Sequence, residues 1–327
     1  MAVKIKGWEF RKTDEPLVLV EREVGELKEG YALVKVLGCG FCHTDVGILH
    51  DPGWMNMLGK IPCIIGHEIA GEIIELNDNS GRFKVGDRVT ICPMPSSDGT
   101  GSGFGRDGGY ATYTKAPTES MALIPDGVDI LQAAAASDAG MTAYHALVSR
   151  GGVKKGTKVG LIGIGGLGRV ATHIAVGLGA EVYVASRKEA ARADALAHGA
   201  YKAAENIKEF QGQGLEVIVD FAGSGQTTTD AVETVAPGGT VVVVGMANLN
   251  ATVCTGTMIT YELSLLASTG GPPQEISEVL ELIRAGKLKI DVQTMPFSKV
   301  PEGLEMLHQG KVKIGRMIMV PDEKDYE

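Results

Sequence analysis

Val159-Gly160-Leu161-Ile162-Gly163-Ile164-Gly165-Gly166-Leu167-Gly168 is the stretch that decides the fold. An apolar strand at 159–162 enters a G-x-G-x-x-G turn that opens a helix over 167–178, the context in which this glycine pattern signifies a dinucleotide. Gly163 makes the sharp turn, Gly165 lets backbone approach a pyrophosphate, and Gly168 lets helix and strand pack closely. At Gly166 and Leu167 the helix N-terminus offers free N–H groups and a positive dipole end to phosphates. The plainer reading is a glycine-rich turn that binds nothing.

Downstream the same texture repeats. Apolar runs at 182–185, 217–220, 241–244 and 263–268 alternate with helical stretches at 188–198 and 226–235, a spacing that predicts an α/β, doubly wound parallel sheet. The second strand ends in Ser186-Arg187-Lys188 where NAD-binding chains carry an acid for the ribose 2′-hydroxyl. A hydroxyl and two cations suit a 2′-phosphate, so NADP(H) is preferred over NAD(H); otherwise these residues are a solvated start to the next helix. Upstream, short β-type runs at 34–37, 69–76, 88–91, 109–115 and 121–124 are broken by Gly, Pro and Asp, which predicts an all-β unit with long loops. An amphipathic helix is expected over 275–285, and the tail over 296–320 returns to β-type character and is expected to rejoin the first unit. The division expected is therefore 1–138 with 269–327, and 139–268.

Composition bounds the rest. A chain of 327 residues exceeds the usual size of one core. Net charge is −9 and no basic patch stands out, which argues against nucleic acid. No apolar run reaches the roughly 18 residues of a membrane span. Five scattered cysteines and a start, Met1-Ala2-Val3-Lys4, without an apolar signal core point to a reducing cytoplasm.

Two further segments carry chemistry: Gly40-Phe41-Cys42-His43-Thr44-Asp45, and Gly66-His67-Glu68-Ile69-Ala70-Gly71. Together with Val85-Gly86-Asp87-Arg88-Val89, residues 163–168 and Ala236-Pro237-Gly238-Gly239, in this order, they resemble the zinc-dependent medium-chain alcohol dehydrogenases over nearly the whole chain. The resemblance implies a GroES-like, β-rich catalytic domain joined to a Rossmann domain. It implies that Cys42 and His67 bind a catalytic Zn2+ and that Asp138, where many relatives carry cysteine, is the third ligand; thiolate, imidazole and carboxylate are suitable zinc donors. Asp138 could instead cap the helix that follows it.

By the same resemblance Glu68 is an acidic neighbour of the metal and Thr44 begins a proton relay, while the position of the histidine that often ends that relay is Gly47. Asp45 orients His67 through its second ring nitrogen, or forms an Asx-type turn or cap. His43 and Arg316 meet the cofactor pyrophosphate, with a solvated charge as the alternative for each. Trp54 and Met55 line an apolar substrate pocket, although Trp54 could equally be ordinary core. The four-cysteine structural zinc lobe of many relatives is missing, with Cys92 alone in the corresponding stretch, so one ion per subunit is expected and the loop is free to move.

The implied activity is hydride transfer between NADP(H) and a small alcohol, aldehyde or ketone in a homodimer or homotetramer, without nucleic-acid or membrane partners. A metal-free quinone or enoyl reductase of the same superfamily and a non-catalytic NADPH-binding protein are the competing readings.

Overall fold

A computed structural model describes residues 3–312 and 315–327. The chain divides into two compact units. The first runs to Asp138 and takes up Pro272–Arg284 and Ile290–Glu327; the second is Ala139–Gly271 with Ala285–Lys289. The short pieces 269–271 and 285–289, expected with the first unit, cluster with the second.

The second unit is built on six parallel strands in the order Lys202–Ala204, Glu181–Ala185, Lys158–Ile162, Val217–Asp220, Thr240–Val243 and Ser264–Ala267. Strand order reverses direction at Lys158–Ile162, which is where an open sheet of this kind receives ligands. Its central strands are nearly continuous in Val, Ile and Leu because both faces are covered. Gly160 is the exception on the central strand: a Cβ there would stand 2.9 Å from the Ile207 side chain and 3.0 Å from that of Leu215.

The first unit holds a mixed sheet in which Tyr31–Gly40 is the hub. Glu68–Asn77 pairs with one edge, followed outward by Arg88–Ile91 and Met121–Leu123; Arg316–Val320 and Val292–Pro296 follow on the other side, and Tyr113–Pro117 also pairs with the hub. A smaller sheet joins Val18–Glu23, Lys4–Phe10 and Cys63–Ile64. The main core of the unit is a cluster containing Phe10, Val36, Phe41, Ile69, Ile91, Tyr110, Leu304 and Met319.

Two sequence expectations need correction. The tail over 296–320 is not continuously β-type: the helix Val300–His308 separates the strands Val292–Pro296 and Arg316–Val320. Its Val300, Leu304 and Leu307 recur at helical spacing and are buried, a period hidden by the valines and methionines around it. Nor is the first unit all β, since helices His43–His50 and Ile130–Ala135 lie within it. The tail does rejoin the first unit, through pairing of Ile318 with Gly40 and Met319 with Cys39.

No helix among the described residues is long and apolar enough to cross a membrane.

Candidate active site

Sheet register brings the metal-ligand candidates together. Gly40 lies opposite Glu68 and also opposite Ile318, so the chain leaves the hub strand at Phe41-Cys42 beside the point where His67 leads into its neighbour. A slip of one residue would turn every side chain on that strand to the other face, and the apolar face of the hub prevents it. Gly66, at φ +90, makes the bend into His67; a Cβ there would meet the Tyr110 ring at 2.7 Å.

Cys42 is the N-cap of helix His43–His50, and His67 is buried at the start of Glu68–Asn77. Asp138 arrives from a third direction, in a π-helical turn, Ala136–Gly140, that follows Ile130–Ala135. Such π-turns recur at functional sites because the extra residue re-aims a side chain. The residue at the N-cap of the following helix, Met141–Tyr144, is Gly140, so Asp138 does not serve as that cap.

The ligating atoms converge. Cys42 Sγ stands 3.8 Å from Asp138 Oδ2, and His67 Nε2 stands 3.7 Å from the same oxygen. One tetrahedral zinc with bonds of about 2.0–2.3 Å would set its ligand atoms roughly 3.3–3.6 Å apart, close to what is seen. One ligand atom each from Cys42, His67, Glu68 and Asp138 lies within 4.8 Å of the others.

The surrounding charges prepare these groups for a cation. Burial alone would raise the Cys42 pKa, but the Arg316 guanidinium and the His67 imidazole bring it below the ordinary thiol range. Burial alone would lower that of His67, yet the Asp45 carboxylate, with hydrogen bonds to Asp138 and Cys42, raises it well above the imidazole range. Cys39, by contrast, is fully buried and its thiol is pushed far up, as suits an apolar core residue; Cys63 and Cys92 are each pushed up to about 11.

Asp45 touches both candidate ligand residues, as a partner of the His67 ring and as the capping-box acid of the helix that Cys42 opens. Its Oδ1 lies 3.2 Å from His67 Nδ1, and its Oδ2 accepts from the Cys42 backbone N–H at 3.3 Å, closing the first turn of the helix. Thr44 Oγ1 is 3.6 Å from Cys42 Sγ, and Thr44 is partly exposed at the same helix start, next to the exposed His43.

Glu68 and Arg316 form a buried pair. Arg316 Nε donates to Glu68 Oε2 at 2.8 Å, a terminal guanidinium nitrogen bonds Oε1, and that nitrogen also stands 3.7 Å from Asp138. The guanidinium expected at a pyrophosphate is thus buried against the acid beside the metal ligands, not a solvated charge. The two residues are 248 apart in sequence and meet because the hub strand pairs with Glu68 on one side and, on the other, with Ile318, two residues past Arg316.

Trp54 and Met55 lie in the short helix Pro52–Met57, partly buried against the apolar core. The Trp54 indole rests on Gly47, where a Cβ would come within 2.7 Å of the ring. A histidine at position 47 would therefore displace Trp54. Two aromatic residues went unnoticed in the sequence. Phe104 sits with its ring centroid 4.6 Å from that of His67, and Tyr110 donates to Asp45. Both follow the loop where relatives carry a zinc lobe. That loop, expected to move freely, is tied down: Asp98 accepts from the Tyr31 hydroxyl, Ser96, Thr100 and Arg106.

In the second unit Gly163 has φ +85, and a Cβ there would meet the Ala222 backbone nitrogen at 2.7 Å. A Cβ on Gly168 would stand 2.2 Å from Gly163 O, whereas Gly165, the N-cap of helix Gly166–Gly177, faces open space. The turn is therefore tight on the protein side and open above Gly165 and the N–H groups of Gly166 and Leu167, the shape a pyrophosphate needs. Ser186 directly follows the strand Glu181–Ala185 and is buried; Arg187 and Lys188 are exposed. A second group with metal-ligand potential, His173, Asp194 and His198, also lies in this unit, but Arg169 is paired with its carboxylate and its two imidazoles stack at 4.3 Å.

Comparison with known proteins agrees with this geometry. Residues 28–126 match the alcohol dehydrogenase GroES-like domain, and residues 166–285 match the zinc-binding dehydrogenase domain. An alcohol dehydrogenase of Geobacillus stearothermophilus is 32% identical over 95% of this chain and 96% of its own. The NADP-dependent alcohol dehydrogenase 6 of Saccharomyces cerevisiae is 29% identical over 90% of this chain and 89% of its own. The solved structure of acetophenone reductase from Geotrichum candidum, in complex with NAD, superposes with a TM-score of 0.89 at 26% identity, covering 99% of both chains. The α/β architecture of a GroES-like unit with a Rossmann unit, and the family's oxidoreductase activity of the alcohol dehydrogenase type, are thereby shown, and the chain belongs to the zinc-type medium-chain dehydrogenase/reductase family.

Proposed function

We propose that the chain is an NADP(H)-preferring, zinc-dependent alcohol dehydrogenase or aldehyde reductase, with Cys42, His67 and Asp138 holding one catalytic ion. The observation that carries this reading is the convergence of a lowered thiol, a buried imidazole and a carboxylate at separations of 3.7–3.8 Å. When bound, zinc would supply Lewis-acid polarisation of an alcohol or carbonyl oxygen.

The chain's own residues set the remaining conditions. Asp45 fixes the His67 ring so that Nε2 faces Asp138, and Arg316 neutralises Glu68 while favouring the Cys42 thiolate. The Thr44 hydroxyl passes a proton between a substrate oxygen and solvent, a role supported by its partial exposure and its 3.6 Å separation from Cys42 Sγ. Trp54 and Met55 give the pocket an apolar wall suited to uncharged alcohols and carbonyls. Residues 163–168 cradle the pyrophosphate, while Ser186, Arg187 and Lys188 take the 2′-phosphate. The yeast relative's NADP dependence supports that preference, although the acetophenone reductase was solved with NAD. A homodimer or homotetramer is the proposed assembly.

The test is an alcohol and aldehyde panel assayed with NADP(H) and NAD(H), on metal-replete and chelated enzyme. Activity that falls on chelation, returns with zinc and is higher with NADP(H) is expected. Activity indifferent to chelation would favour a metal-free reductase.

A further inference from the structure

We propose that Tyr110 is a positioning residue for the His67 ligand, acting through Asp45. The inference rests on the metal reading given above and extends it one residue outward.

Tyr110 is fully buried, and its hydroxyl donates to Asp45 Oδ2 at 2.8 Å, with Gly40 O a further acceptor at 3.2 Å. The other oxygen of that carboxylate faces His67 Nδ1 at 3.2 Å. A chain of contacts thus runs from phenol to carboxylate to imidazole, and ends at Nε2 beside Asp138. A carboxylate held only by Cys42 N–H, at 3.3 Å, could rotate about its terminal torsion. The phenol fixes that rotation, which fixes in turn the ring nitrogen that carries the proton and the direction of the one that ligates.

The ring contributes as well. It packs against Gly66, immediately before His67, and its centroid lies 5.2 Å from that of Phe41, immediately before Cys42. The Tyr110 backbone N–H also bonds Ile65 O at 3.0 Å. One side chain therefore touches the approach to both ligands. Two glycines let it in: a Cβ on Gly66 would strike the ring, and one on Gly109 would come within 2.5 Å of Ile69 and 2.8 Å of Cys39 Sγ. A residue that only filled core would need the ring and not the hydroxyl.

Tyr110→Phe keeps the ring and deletes the hydroxyl. Zinc affinity of the full chain is measured by competition with a chromophoric chelator for wild type, Tyr110→Phe, Asp45→Asn and the double variant. Removing outer partners of a metal-bound histidine typically weakens metal binding by about 10- to 100-fold; one step further out, a loss of roughly 5- to 20-fold is expected for Tyr110→Phe. In the Asp45→Asn background the same change should have almost no further effect, because the phenol acts through that carboxylate. The visible spectrum of the cobalt-substituted Tyr110→Phe chain, which needs no Asp45 variant, should also shift. Wild-type affinity and an unchanged cobalt spectrum in Tyr110→Phe would overturn the proposal, as would equal losses in both backgrounds. A wild-type chain that takes up no zinc would overturn the metal reading itself, a different outcome from zinc bound equally by wild type and Tyr110→Phe.

Discussion

Replacing Glu68 by Gln tests the charge balance beneath the candidate metal site. Glu68 has no exposed surface and Arg316 is nearly as buried, so neither charge can turn to water when the other is lost. At 2.8 Å, with an effective dielectric constant near 20, their attraction is about 6 kcal/mol, most of which offsets the cost of burying both. Breaking such a pair from one side typically costs about 3–5 kcal/mol. A loss of that size is expected in Glu68→Gln.

A second effect should follow. Released from Glu68, the guanidinium has Asp138 only 3.7 Å away as its next acceptor. It would then compete with a metal for that ligand, and zinc affinity should fall at least tenfold, about 1.4 kcal/mol. Both tryptophans, Trp8 and Trp54, lie in the first unit, so urea unfolding followed by tryptophan fluorescence reports that unit alone. The double variant Glu68→Gln/Arg316→Met should regain much of the lost stability, since it removes the orphaned charge. A stability loss under about 1 kcal/mol in Glu68→Gln, or no recovery in the double variant, would refute the assignment of a tightly coupled buried pair.

Other perturbations separate the remaining parts. Arg187→Asp should weaken NADPH binding far more than NADH binding, because an acid repels only the 2′-phosphate; equal losses by fluorescence titration would contradict the assignment. Metal analysis of dialysed protein should return one equivalent per chain, and none after Cys42→Ser; a second tightly held equivalent would implicate His173, Asp194 and His198. Partial burial by itself would raise the Asp98 pKa, but hydrogen bonds with Tyr31, Thr100 and Ser96 hold it well below the carboxylate range. Its contribution is therefore complete above the unfolded value of about 4 and is lost as acid protonates it below that. Hydrogen exchange over residues 96–106 should thus speed up below about pH 4 relative to its intrinsic rate, and Asp98→Asn should remove that dependence. Phe104→Ala uncovers one face of His67, and should raise KM for bulky apolar alcohols more than for ethanol; a uniform change across the series would show that the ring does not meet substrate.

How far the sequence could be read depended on the range of the interactions involved. The glycine turn at 163–168 was legible because its geometry is local: strand, turn and helix follow one another between residues 158 and 177, and Gly163 and Gly168 each sit where a Cβ would strike backbone. Five of the six strands of the parallel sheet were legible to within a residue for the same cause, as runs of buried apolar residues have no polar alternation to obscure them, whereas the short edge strand Lys202–Ala204, half exposed, carried no such signal. The helix Val300–His308 was hidden because the segments on either side of it, Val292–Pro296 and Arg316–Val320, are strands that carry Val and Met, and only Val300, Leu304 and Leu307 mark its buried period.

Cys42, His67 and Asp138 could be named from motif resemblance, but their meeting follows from register. Gly40 pairs with Glu68 on one side and Ile318 on the other, and a π-turn carries Asp138 in. The links Glu68–Arg316, Tyr110–Asp45 and Phe104–His67 had no signal in one dimension. Each joins residues 37 to 248 positions apart, and no spacing or motif ties one partner to the other. The sequence by itself determined the two kinds of unit, the nucleotide turn and the identity of the ligand candidates, because those depend on short-range sterics and side-chain chemistry. Only the tertiary structure decided which buried charges neutralise one another and which hydroxyl fixes which carboxylate, because electrostatic partners are chosen by distance in space within a poorly polarisable interior.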